Sequence, residues 1–126
     1  MDTLPFKIPV GIEYTGLIRL ERQFVVVEFG KWSWRKMSKQ IKEVRIPISE
    51  LASVEFITGM LETRLDLQLR SMKSTGEIPC NTPGLVKLQF TKRYREAARE
   101  MATVLRAAIA EQRLELLEVE MRRLEG

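Results

Sequence analysis

A chain of 126 residues, 44% hydrophobic and 30% charged, is long enough for one folded domain and too apolar to remain disordered. Its net charge of +4 is local: residues 93–126 hold seven Arg and seven Glu, whereas residues 29–42 hold five Lys or Arg and no acid. The absence of histidine removes the commonest general base and metal ligand, and a single cysteine, Cys80, excludes an intrachain disulfide.

The first two-thirds reads as strands. "GLIRLE" (16–21) and "FVVVEF" (24–29) are rich in aliphatic and aromatic residues, and only Arg22 and Gln23 separate them. That is the spacing of a tight hairpin, although neither residue favours the positive φ that a primed turn needs. "EVRIPI" (43–48) alternates Val44, Ile46 and Ile48 against Glu43 and Arg45, and Pro47 predicts an edge or an end there. "SVEFIT" (53–58), "TRLDLQLRS" (63–71) and "LVKLQFT" (85–91) each present one apolar face. "KSTGEIPCNTPG" (73–84), with two glycines and two prolines, is a loop, and "FKIPV" or "GIEY" would supply a seventh strand.

The period changes at Thr91 or Lys92. No Gly or Pro occurs from there until Gly126, and Ala, Leu, Glu and Arg dominate. Tyr94, Ala98, Met101, Leu105 and Ala108 form a helical stripe suited to covering the open end of a small antiparallel barrel. The fold class expected is therefore mainly β with a long C-terminal helix.

A helix over 93–124 would be about 48 Å long, against about 20 Å for a strand of such a sheet. It must overrun the barrel or fold back on it. Ala107, Ala110, Leu114, Leu117, Met121 and Leu124 follow coiled-coil spacing, and Leu116 and Val119 continue the barrel-facing stripe. The division expected is 1–110 for the barrel with its capping helix and 111–126 for a helical extension that self-associates through Leu114, Leu116, Leu117, Val119, Met121 and Leu124.

Two basic clusters are candidate anion sites. Lys31, Trp32, Trp34, Arg35, Lys36, Lys39 and Lys42 combine cations with rings suited to an interface. The competing reading is a solvated turn with both tryptophans in the core. "TKRYR" (91–95) places Lys92, Arg93 and Arg95 at the helix start, where the dipole disfavours cations unless an anion binds. Cys80 has no recognisable base beside it, and no Walker loop or dinucleotide fingerprint occurs. No enzyme activity, metal or cofactor is expected.

The runs "GLIRLERQFVVVEF", "EVRIPISELASVEFITG", "TRLDLQLRS" and "LVKLQF" entering a terminal helix resemble the bacterial pleckstrin-homology-like (PH-like) superfold over roughly residues 10–110. The resemblance implies a bent antiparallel barrel of six to seven strands capped by the helix, a non-catalytic binding or scaffolding role, and self-assembly. Phosphoinositide-binding relatives carry their basic motif between the first two strands. Here that turn is Glu21-Arg22-Gln23, so headgroup recognition does not carry over. The partners expected are a second copy of the chain and an acidic protein or anionic membrane surface, with nucleic acid ranked last. The opening Met1-Asp2-Thr3-Leu4-Pro5 has an acid where a signal peptide needs cations, and the expected location is the cytoplasm.

Overall fold

The computed structural model describes residues 3–10, 12–33 and 37–125. Alternating apolar residues build seven strands: β1 (Leu4–Val10), β2 (Ile12–Glu21), β3 (Phe24–Ser33), β4 (Ser38–Pro47), β5 (Leu51–Thr58), β6 (Thr63–Leu69) and β7 (Leu85–Phe90). One helix, α1 (Arg95–Glu125), closes the chain, and short 3-10 turns occupy Ile48–Glu50, Met72–Thr75 and Lys92–Tyr94.

The strands form one antiparallel sheet in the order β4-β3-β2-β1-β7-β6-β5. Its two edge strands, β4 and β5, are joined by the three-residue turn Ile48–Glu50. Six strand spacings would hold the edges of a flat sheet roughly 29 Å apart. The four Cα steps from Pro47 to Leu51 reach at most about 14 Å. The sheet must therefore curl until its edges approach, yet β4 and β5 do not pair. The expected barrel is thus corrected to an open, coiled sheet.

Gly16 lies where β2 and β3 approach closely. A Cβ there would collide with the carbonyl oxygen of Glu28 and lie 2.7 Å from Phe6 Cζ, so only glycine admits this strand approach. The turn between β2 and β3 sets Arg22 at φ 48°, a left-handed conformation that costs a residue with a Cβ about 1–2 kcal/mol.

Inside the curl lies one core. Phe6, Ile8, Ile18, Val25, Val27, Ile46, Leu65, Leu67 and Leu88 meet Ala98, Met101, Leu105 and Ile109 of α1. The helix packs on β5, β6 and the Ile48–Glu50 turn, so it caps the gap between the two edges. Two arginines fasten it: Arg106 Nε donates to Val54 O and Arg113 Nη2 to Ala52 O, both at 2.9 Å. These donors cover edge carbonyls of β5 that no neighbouring strand occupies.

The outer face of the sheet is held by charge. Arg19 donates to Glu21, Glu28 and Glu43, and Arg45 adds bonds to Glu21 (3.1 Å) and Glu43 (3.4 Å). Val26 pairs with Arg19 on one side and Arg45 on the other, and is fully buried outside the core cluster. The aliphatic stems of its neighbours account for this shielding.

Candidate functional site

The helix tail is the first candidate. Buried contact along α1 ends at Ile109, and every residue from Arg113 to Glu125 is exposed. The helix continues unbroken through this point to Glu125. Leu114, Leu116, Leu117, Val119, Met121 and Leu124 are 54–85% exposed on the single chain. Sequence spacing placed these six on two faces, and the structure leaves both faces uncovered. Of the twelve residues 114–125 only Glu115 and Leu116 border clefts shared with the sheet, and a free helical segment of that length is at the lower limit of stability. An apolar partner would resolve both problems at once.

The second candidate, expected as a loop over 31–42, is mostly strand. Lys31 and Trp32 belong to β3, and Lys39 and Lys42 to β4, with Lys31 paired to Gln40, Trp32 to Lys39 and Phe29 to Lys42. Trp34, Arg35 and Lys36 lie outside the described residues, as do the side chains of Trp32 and Lys39. Strand alternation assigns the Lys31 and Lys42 positions to one face of the ladder. Lys42 also has an intramolecular anion: its Nζ lies 2.8 Å from Glu77 Oε2, and that carboxylate raises the Lys42 pKa.

The third candidate sits at the start of the helix. Lys92 and Arg93 lie on a 3-10 turn, and α1 begins only at Arg95. Arg93 sits 5.7 Å from the centre of the Tyr94 ring, and Arg95 Nε donates to the buried Thr63 Oγ1 at 3.5 Å. Both of these partners are neutral groups.

Two surfaces were not foreseen from sequence. A cleft of about 610 Å³ opens on the β1–β7 seam between Pro5, Lys7, Leu17, Gln89 and Tyr94, over Phe6 and Phe90. Among the described residues only Lys7 and Gln89 pair across that seam. Pro5 and Pro9 explain it, because the ladder with β2 runs through both and the N–H groups they lack are missing from the other edge. The second is the tip between β5 and β6, where Met60 and Leu61 stand in solvent.

Chemically reactive groups are sparse. Cys80 is half-buried, its Sγ lies 3.3 Å from the carbonyl of Ile78, and burial pushes its pKa above the ordinary thiol value. Among the described residues, no three His, Cys, Asp or Glu side chains are grouped to hold a metal ion. No described helix is long and apolar enough to cross a membrane. Asp66, between Leu65 and Leu67 on β6, is 8% exposed and clamped by Arg64 through Nε–Oδ1 (2.6 Å) and Nη2–Oδ2 (3.2 Å). That geometry is structural, a bidentate pair within one strand. Compared with protein-family models, curated proteins and solved structures, the chain matches none.

Proposed function

We propose that this chain is a non-catalytic, PH-like interaction module that self-associates through its C-terminal helix and offers its basic hairpin, residues 31–42, to an anionic partner. The observation that carries the reading is the uncovered tail: six large apolar side chains on twelve residues, with coiled-coil spacing continuing from Ala107 and Ala110. A second copy is the occupant whose seam has the same length and spacing. Leu116 and Val119, off that seam, supply a second contact face within the assembly.

Support for a PH-like module is the element order, seven antiparallel strands followed by one capping helix. Support for an anionic partner is the concentration of five cations between residues 29 and 42, with no acid between Glu28 and Glu43. A raised Cys80 pKa and the sparse acid–base inventory favour binding over catalysis.

Removing residues 114–126 tests self-association. Light scattering of the shortened chain should report a lower mass than that of the whole chain, and equal masses would refute the tail's role. The competing reading is a peripheral adaptor that docks the same hairpin on anionic lipid. It requires the parent to sediment with anionic vesicles and the Lys36→Glu, Lys39→Glu variant to remain in the supernatant. A parent that never sediments eliminates the adaptor.

A further inference from the structure

We infer that the C-terminal helices associate in parallel, with the sheets of both copies at the same end of the assembly. This deepens the self-association proposed above and rests on it.

The seam is Ala107, Ala110, Leu114, Leu117, Met121 and Leu124, turned away from the Ala98, Met101, Leu105 and Ile109 face that the sheet covers. The charged residues flanking it decide direction. Arg106, Arg113 and Glu120 lie along one border, and Glu111, Glu118 and Glu125 along the other. A parallel pair sets each residue of the first border against the other copy's residue five positions further on. Arg106 then meets Glu111, and Arg113 meets Glu118, both opposite in sign. Glu120 meets Glu125, the one like-charged contact, and Arg123 of its own helix stands 3.9 Å from Glu120 to soften it.

An antiparallel pair sets each border against itself. With the Leu114 and Leu117 layers matched at the centre, Arg113 meets Glu120, but Glu111 meets Glu118 and the all-acid border gains no compensating cation. Favourable and unfavourable contacts then cancel, whereas the parallel arrangement retains a surplus of attraction.

The fold strengthens the first case. Arg106 and Arg113 are anchored to Val54 O and Ala52 O, which are neutral acceptors. Each of these bonds orders a guanidinium without discharging it, and uses one of five N–H donors. Both guanidiniums thus sit at the β5 side of this border with N–H donors left over. Bringing both sheets to one end would let two basic hairpins act together, which raises apparent affinity for an extended anionic surface without any new contact.

Disulfide trapping tests the direction. In a Cys80→Ser background, Leu124→Cys chains oxidised under mild conditions should become covalent dimers, while an equal mixture of Ala107→Cys and Leu124→Cys chains should yield no mixed dimer. A mixed dimer in place of the Leu124→Cys homodimer, with light scattering still reporting association, overturns the parallel assignment and leaves self-association standing. A single-chain mass for the parent overturns both. As a second measurement, an equal mixture of Arg113→Glu and Glu118→Arg chains should form mixed pairs in preference to like pairs, because parallel helices set residue 113 of one copy against residue 118 of the other. Statistical mixing, with both variants folded by circular dichroism, counts against parallel pairing, because antiparallel helices never bring those two positions together.

Discussion

Arg113 Nη2 donates to Ala52 O at 2.9 Å, and the next residue, Leu114, is 61% exposed. Within two positions α1 passes from an element of the fold to a free rod. A chain ending at Arg113 should therefore keep its stability. Compared at concentrations where both exist as single copies, its urea unfolding free energy should lie within about 0.5 kcal/mol of the parent. Leu105→Ala, four residues above the last buried helix position, should instead cost about 2–5 kcal/mol, because it empties a fully buried site.

Gly16 and Gly59 make opposite predictions from the same substitution. Alanine at 16 drives a methyl group into the Glu28 carbonyl, which is ladder backbone and cannot give way. Its cost should be at least about 1–3 kcal/mol, the usual range for overpacking. At Gly59 nothing lies within 4 Å of the added methyl, so alanine should be neutral or stabilise by up to about 1 kcal/mol. Chemical denaturation of the two variants checks both signs.

The outer charge network has a defined pH signature. The hydrogen bond from Arg19 holds the Glu21 carboxyl below the ordinary glutamate value, while Glu21 and Glu28 raise the Arg19 pKa. A depressed folded value stabilises the protein above the unfolded pKa of about 4.3. That contribution should fade as the pH falls through the folded value, and urea midpoints should drop below about pH 4. Arg19→Met leaves Glu21, Glu28 and Glu43 with Arg45 alone, so it should be less stable at pH 7. Its deficit against the parent should shrink on acidification, as protonation of the acids removes the pairing in one protein and the repulsion in the other.

Cys80 should behave as a structural thiol. Burial raises its pKa, so alkylation by iodoacetamide at pH 7 should be slower than for a cysteine peptide, and urea should accelerate it. Fast alkylation that saturates near neutral pH would indicate an activated thiolate and would contradict the non-catalytic reading.

Much of this architecture is legible in the sequence because single-sided strands announce themselves. Leu65, Leu67 and Leu69 alternate with Arg64, Asp66 and Gln68, and β6 follows that pattern except at Asp66, which Arg64 helps to bury. Pro47 marked the end of an edge strand, and β4 is both. The change of period after Thr91 located α1 to within four residues. Periodicity failed where it had nothing to report. Lys31, Trp32 and Ser33 carry no alternation, so the extension of β3 and β4 beyond the core read as a loop. Pro5 and Pro9 obscured β1 because proline argues against a strand, yet both tolerate the loosely paired seam with β7. The opening between β4 and β5, the burial of Val26 beneath arginine stems and the cleft at Tyr94 depend on contacts distant in sequence, which no local window contains. In the tail, the run of helix past the sheet was legible, since its spacing continues beyond Ile109 without tertiary context.

The most direct test of the account is the solution mass of the whole chain by light scattering over a dilution series. A mass of two or more chains at micromolar concentration, falling toward one chain on dilution or on Leu117→Glu substitution, is the predicted result. A single-chain mass at every concentration, with Leu114, Leu117 and Met121 left in water, would contradict it.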